Sequence, residues 1–122
     1  MSLDSLSGEW NIQQAVESGR ATPPGKVRLV IRGHHFARVT AEHTFERWIE
    51  VDDTVLPHTI DLHITNEPQQ GQLFKGIYQL DGDTLTICHA LPGESRPSEF
   101  SSTVENRHVL SISTRVSMPA DQ

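Results

Sequence analysis

The sequence predicts an all-β domain, an eight-stranded antiparallel up-and-down barrel, with a β-sandwich as the main alternative. Apolar and polar residues alternate in most segments, a pattern typical of strands with one buried face. Short clusters of Pro, Gly, Asn and Asp separate these segments, and no long helical pattern occurs. Without an internal repeat or a linker, residues 1–122 are expected to form one domain.

The first four predicted strands cover residues 8–16, 26–33, 35–41 and 45–52. In the second, "KVRLVIRG", Leu29 and Ile31 share a face, and basic residues occupy the other. Gly33 predicts the turn into the third strand. In the fourth, "FERWIEV", Arg47 shares a face with Ile49, which makes it a charged residue on a face predicted to be buried.

The last four predicted strands cover residues 58–65, 72–80, 83–90 and 107–117. "HTIDLHIT" alternates Ile60 and Leu62 with polar residues. "HVLSISTRV" places Leu110 and Ile112 on the face predicted to be buried. Eight consecutive strands with short turns and one apolar face each favour the barrel.

The hairpin in "GIYQLDGDTLTICHA" is the best specified element. Asp81-Gly82 fits a two-residue type I′ turn, which pairs Leu80 with Asp83 and Tyr78 with Leu85. One face then collects Phe74, Gly76, Tyr78, Leu80, Leu85 and Ile87. A bulge would shift the pairing by one residue and exchange the faces. Gly76 predicts a void that a neighbouring side chain fills, or a sharp strand bend.

The segment "LPGESRPSEF" follows the hairpin, and its prolines prevent regular ladder pairing. Phe100 is a large apolar residue in a polar loop, so we expect it to be mostly buried against an end of the barrel. Arg96 and Glu99 are expected to pair with each other or with the barrel rim. The alternative is that the loop gates a ligand cavity.

Two features resemble the lipocalin-type barrels. Gly8-Glu9-Trp10 matches the G-x-W signature on the first strand, and Arg115 lies on the last predicted strand. That superfamily places a basic residue over the tryptophan, so the resemblance implies that Gly8, Trp10 and Arg115 close the barrel through a cation–π contact within about 6 Å.

A wider resemblance covers nearly the whole chain. The segments "LSGEW", "TIDLHIT", "GIYQLDGDTLTIC", "RPSEF" and "HVLSISTRV" occur here in the order found in a family of small bacterial domains of unknown function, abundant in Planctomycetes. The resemblance implies a lipocalin-like barrel and brings no catalytic residues. The sequence departs from the family in its polar stretches, at His34-His35 and at Glu42-His43-Thr44.

Charge, cysteine content and the lengths of the apolar stretches indicate which partners and which compartment to expect. The net charge is −6 and no basic stripe occurs, which argues against nucleic acid. Cys88 is the only cysteine, so no internal disulfide can form. The first ten residues lack signal-peptide features and no stretch is long enough to span a bilayer, so a cytoplasmic protein is expected unless an export signal was removed.

The polar residues do not group into a recognisable catalytic or metal motif. His58 and His63 have opposite parity on one strand, and no C-x-x-C or H-x-x-x-H spacing occurs. Asp61 and His63 share a polar face, where we expect solvation. No nucleophile elbow or phosphate loop is present. We therefore expect a protein that is not an enzyme and has no metal or cofactor.

The candidate cavity residues are Tyr78, Phe74, His89 and Arg47, polar and aromatic groups predicted to face the interior, with Arg38 as a further arginine beside apolar neighbours. A buried Tyr or His needs a partner, either within the core or in a ligand. An eight-stranded barrel can be filled or can hold one small ligand. The first hypothesis is therefore non-catalytic binding of a small apolar or amphipathic molecule.

The alternative is a filled barrel that acts as a protein-interaction or inhibitor module through its loops. Trp48 lies between Glu46 and Glu50 on the outward face, and an outward tryptophan is a common interface anchor. A cavity above roughly 300 Å³ would favour ligand binding. An exposed apolar patch near Trp48 without a cavity would favour the interaction module.

Overall fold

The structure is a computed structural model, and it describes residues 5–22, 26–66 and 70–116. These ranges contain nine strands: β1 (Gly8–Glu17), β2 (Arg20–Thr22), β3 (Arg28–Arg32), β4 (His35–Val39), β5 (Thr44–Asp52), β6 (His58–Ile64), β7 (Leu73–Asp81), β8 (Thr84–His89) and β9 (Val109–Arg115). Every pairing between them is antiparallel.

The sheet closes on itself. β1 pairs with β3 on one side and with β9 on the other, so β1 and β3 to β9 form a closed barrel of eight strands. From β3 onwards each strand lies beside its neighbour in the chain, which is the up-and-down order. The predicted eight-stranded barrel is confirmed, and the ladder between β1 and β9 excludes an open sandwich.

β2 is the one described strand that the sequence did not predict. It pairs with the end of β1 across Ser18 and Gly19, which have φ of 51° and 81°. Positive φ at both central residues is the geometry of a type I′ turn. Ser-Gly is a turn signal, but three residues are too few to show alternation.

The interior of the barrel holds one apolar cluster. Its buried members are Leu6, Trp10, Ile12, Leu29, Ile31, Phe36, Ile49, Ile60, Leu62, Ile64, Phe74, Tyr78, Leu85 and Ile87. The alternation predicted for β3, β5 and β6 is therefore observed, with the apolar residues inside. We call the two ends of the barrel the Trp10 end and the Arg47 end.

The Trp10 end is closed by the contact that the resemblance to lipocalin-type barrels implies. The Arg115 guanidinium lies 4.3 Å from the centre of the Trp10 ring. The Trp10 indole N–H donates to Leu6 O at 2.9 Å, which fixes the segment before β1 across this end. Gly8 has φ of 136°, and a Cβ there would lie 3.1 Å from Arg115 Nη1, so a side chain would crowd the guanidinium.

The β7–β8 hairpin has the predicted faces but not the predicted register. Leu80 pairs with Leu85 and Tyr78 with Ile87, two residues from the expected partners. The central turn residues are Gly82 and Asp83, and only Gly82, with φ of 60°, is in the left-handed region. This pattern fits a type II′ turn rather than type I′. A shift of two residues preserves side-chain parity, so the buried face is unchanged.

The face predicted for the last strand is wrong. Arg115 points inward onto Trp10, and the period of two therefore turns Ser113 inward as well. Ser113 is buried, whereas Leu110 and Ile112 lie half-buried on the outer face. The apolar residues of this strand do not mark its inward face, because part of the outer surface of the barrel is covered and can carry apolar side chains.

That cover is the segment 90–108, which we call the strap. Its Arg96 donates to the carbonyl of Gly76 at 2.9 Å and pairs with Asp61 at 2.8 Å. Cys88 lies on the outer face of β8 with no exposed surface, and its thiol donates to Ser101 O of the strap at 3.4 Å. The strap therefore packs along the outside of the barrel.

Phe100 is partly buried at the edge of the Trp10 end, in line with the predicted contact with an end of the barrel. The prediction for the partners of Arg96 and Glu99 needs correction. Glu99 is exposed and Arg96 pairs with Asp61 of β6 instead. The long-range partner could not be identified from the sequence, since Asp61 lies 35 positions away from Arg96.

Candidate functional site

A cavity of about 310 Å³ opens at the Arg47 end of the barrel. Its apolar wall comes from Ile12, Ala15, Leu29, Phe36, Leu62, Phe74, Ile87, Leu91 and Val109. Its polar residues are Glu17, Arg38, Arg47, His89 and Ser111. The volume is at the lower limit of small-molecule sites, and an apolar wall with few polar groups is typical of such sites.

Arg47 is placed in this cavity by the alternation of β5. It lies between Phe45 and Ile49 on the inward face, and 9% of its surface is exposed. Burial, and then the charge of Arg38, lower the pKa of Arg47 to about 10, so the side chain remains charged at neutral pH.

The charge of Arg47 is poorly compensated within the described residues. Its guanidinium makes one long hydrogen bond, 3.4 Å to Phe45 O, although it has five N–H donors. Its Cζ lies 5.7 Å from the Phe74 ring and 5.9 Å from the Phe45 ring. Cation–π contacts contribute roughly 0.5–2 kcal/mol, whereas burial of a charge costs several kcal/mol. Two cation–π contacts at nearly 6 Å therefore do not offset the free-energy cost of removing the guanidinium from water.

Arg38 adds a second positive charge to the same wall. It faces inward on β4 opposite Phe45, and its Cζ lies 5.5 Å from that ring. Neither arginine forms an ion pair with a carboxylate of the described chain, although other arginines such as Arg28, Arg96 and Arg115 do. Glu17 lines the cavity but is exposed at its rim.

His89 contributes a neutral ring beside these charges. Burial is the main cause that lowers the pKa of His89 to about 4, and the charges of Arg47, His108 and Arg38 act in the same direction. Its Nδ1 lies 3.1 Å from Ala90 O, so Nδ1 donates and Nε2 carries the lone pair. The ring stacks on Phe74 with centroids 4.8 Å apart.

Gly76 makes room for His89. The two residues are paired across β7 and β8, and a Cβ on Gly76 would lie 2.9 Å from His89 Cβ and 2.8 Å from Cys88 O. Of the two readings that the sequence left open, the structure shows close approach of a neighbouring residue. Gly76 therefore permits the position of the imidazole at the cavity wall.

Tyr78 is separated from the other candidate residues. Phe74, His89 and Arg47 line the cavity at the Arg47 end, whereas Tyr78 lines a second cavity of about 290 Å³ at the Trp10 end. Tyr78 lies 5.4 Å from the His58 ring, measured between centroids. Tyr78 and Phe74 share the inward face of β7, but they lie four residues apart, one towards each end of the barrel.

A group of carboxylates and one histidine lies on the outer face of β5 and β6. The ligand atoms of Glu50, Asp61 and His63 are within 4.8 Å of one another. Arg96 pairs with Asp61 at 2.8 Å, and His63 Nε2 lies 3.5 Å from Glu50. The guanidinium already supplies a positive charge here, so the cluster acts as an anchor for the strap.

Cys88 does not provide a reactive nucleophile. Its thiol is buried beneath the strap, and burial raises the pKa of the Cys88 thiol. A raised pKa keeps the sulfur protonated at neutral pH, and the thiol is a much weaker nucleophile than the thiolate.

Sequence reasoning missed Ser111 and Glu17 as cavity residues. Ser111 lines the cavity because it lies on the inward face of β9, whereas the apolar pattern predicted that this face was the outer one. Glu17 and Ala15 reach the cavity because the pairing of β1 with β9 shifts between Ile12 and Gln14. This bulge changes the parity of β1, and no residue in the segment signals it.

No protein-family model, curated protein or solved structure matches the chain. In residues 5–22, 26–66 and 70–116, the structure contains no helix that is long and apolar enough to cross a membrane.

Proposed function

We propose that this barrel binds a small apolar or amphipathic molecule in the cavity at the Arg47 end. The observation that carries the proposal is an apolar cavity of about 310 Å³ with Arg47, Arg38 and His89 in its wall. This volume just meets the roughly 300 Å³ at which a ligand site is favoured over a filled barrel.

The binding test uses N-phenyl-1-naphthylamine, an uncharged probe that becomes fluorescent in apolar surroundings. We expect saturable binding of one probe per chain. Ser111→Phe should abolish it, because Ser111 lines the cavity and a larger side chain would fill the space. Ile112→Phe is the matched control, since Ile112 is the next residue on β9 and faces outward.

Two results would contradict the proposal. Absence of probe binding to the unmodified protein would leave the cavity without a role. Equal binding by Ser111→Phe and the unmodified protein would place the probe elsewhere, for example at the Trp10 end. Urea melts of both variants check that each remains folded.

The second candidate is a protein-interaction module. Trp48 is 48% exposed on the outer face, which supports it. However, Trp48 stacks on His34 with ring centroids 4.6 Å apart and planes within 4°, so one face of the indole is already covered. The probe titration separates the two candidates, because an interaction module does not require an accessible cavity.

One further expectation remains a proposal that rests on the sequence. The segments from "LSGEW" to "HVLSISTRV", in their order along the chain, support membership of the small bacterial domain family with a lipocalin-like barrel.

A further inference from the structure

We infer that the ligand is an amphipathic anion whose charged headgroup binds Arg47, with a carboxylate as the headgroup of best fit. This inference rests on the proposed function, because it names the class of molecule for the same cavity. It begins from Arg47, the one arginine of the described chain that is buried and has no carboxylate partner.

The environments of the other described arginines differ from that of Arg47. Arg28, Arg96, Arg107 and Arg115 each pair with a carboxylate. Arg20 and Arg32 are exposed to solvent, and Arg38 is partly buried in the same cavity wall as Arg47. Arg47 is buried and has no carboxylate partner among the described residues, and the one hydrogen bond that its guanidinium makes with them is the 3.4 Å contact with Phe45 O. An anion bound at Arg47 would supply the missing partner.

The surroundings favour an anion over a neutral or cationic headgroup. Arg38 lies on the same wall and adds positive charge, whereas Glu17, the one carboxylate among the described residues that line the cavity, is exposed at the rim. His89 is neutral at physiological pH and neither repels nor neutralises the anion. A cationic headgroup would meet two positive charges, and a hydroxyl would leave the charge of Arg47 uncompensated.

The geometry of guanidinium favours a carboxylate. Its planar fork can donate two parallel hydrogen bonds to the two oxygens of one carboxylate. The cavity that holds the arginine is also lined by Leu62, Phe36 and Ile87, which suits a hydrocarbon chain or an aromatic ring. A compact amphiphile such as octanoate therefore presents both chemical features.

The test compares octanoate, octan-1-ol and octylamine as competitors for N-phenyl-1-naphthylamine. With the unmodified protein we expect octanoate to displace the probe at a concentration at least tenfold below that of octanol, and octylamine to be the weakest. Arg47→Met should remove this preference, so that octanol equals or exceeds octanoate. Arg28→Met is the control and should leave the preference unchanged, because Arg28 pairs with Glu9 outside the cavity.

Arg47→Met should remain folded, since it replaces an uncompensated charge with an apolar group of similar length. Equal competition by octanol and octanoate in the unmodified protein would overturn the inference, while probe binding would preserve the proposed function. An octanoate preference that persists in Arg47→Met would also overturn it. If the probe itself does not bind and octanoate shows no heat in calorimetry, both the inference and the proposed function fail.

Discussion

The Arg115 guanidinium lies 4.3 Å from the centre of the Trp10 ring and joins the last strand of the barrel to the first. The same guanidinium donates to the carbonyls of Ser7 and Ser5, each at 3.0 Å, and to Asp83 at 3.2 Å. One side chain therefore holds the segment before β1, the β7–β8 turn and the tryptophan at the closed end.

Arg115→Ala should lower the free energy of unfolding by about 2 kcal/mol. It removes a cation–π contact and the two hydrogen bonds to the carbonyls of Ser5 and Ser7. Arg28→Ala is the control, because Arg28 makes only an exposed ion pair with Glu9 and should change stability much less. Urea melts give both values, and equal effects of the two substitutions would show that the Trp10 contact does not stabilise the closed end.

Gly82→Val should cost a few kcal/mol or prevent folding, because Gly82 has φ of 60° and a β-branched residue is strained there. Apart from its chain neighbours, no atom of the described residues lies within 4 Å of a Cβ at Gly82, so the effect would come from the backbone and not from a clash. Gly82→Asn is the control and should cost less, since Asn tolerates the left-handed region. Thermal melts compare the three proteins, and coincident midpoints would refute the strain at this turn.

Arg96→Ala should expose Cys88 to thiol reagents. Arg96 fastens the strap to Gly76 O and Asp61, and Cys88 has no exposed surface beneath it. Loss of these charge-assisted bonds should raise the labelling rate by about tenfold or more, because each 1.4 kcal/mol changes the open population tenfold. The reaction with 5,5′-dithiobis(2-nitrobenzoic acid) measures it.

Arg107→Ala is the matched control for the strap. Arg107 lies in the same segment but pairs with Glu94 in an exposed ion pair, so its loss should leave the rate nearly unchanged. If Arg96→Ala labels Cys88 no faster than this control does, the strap is held by other contacts.

The stability of the protein should fall as the pH decreases from about 6.5 to about 4 because of His89. In the unfolded chain the imidazole takes up a proton near pH 6.5, whereas in the folded barrel it does so only near pH 4. The unfolded state therefore binds more protons across this window, which favours unfolding by an amount on the order of 2–3 kcal/mol at its acidic limit.

His89→Phe removes this titration and keeps an aromatic ring beside Phe74. Urea melts between pH 4 and pH 7 should therefore give a flatter profile for the variant than for the unmodified protein. Parallel profiles would show that His89 is protonated as readily in the barrel as in the unfolded chain.

Much of the barrel can be predicted from the sequence, because the alternation of apolar and polar residues within a single strand shows which side chains face inward. β5 and β6 alternate without a break, so the inward positions of Arg47, Ile49 and Ile60 follow from the period alone. The contact between Trp10 and Arg115 was predicted from the resemblance to lipocalin-type barrels, which place a basic residue of the last strand over the tryptophan.

The sequence-based predictions fail where contact between two segments far apart in the chain determines which residues are buried. Cys88 faces outward beside Leu110 and is covered by the strap, and the sequence gives no sign of which strands the strap covers. The β1 bulge admits Glu17 to the cavity through its pairing with β9. Strand parity placed Tyr78 on the cavity face but could not give its distance along the barrel from Arg47.

The most direct test of the ligand assignment is a crystal structure of the protein grown with octanoate. We expect the carboxylate within about 3 Å of the Arg47 guanidinium, with the alkyl chain against Leu62 and Phe36 inside the barrel. Octanoate bound at the Trp10 end beside Tyr78, or bound at the Arg47 end with its carboxylate turned out to solvent, would contradict the account.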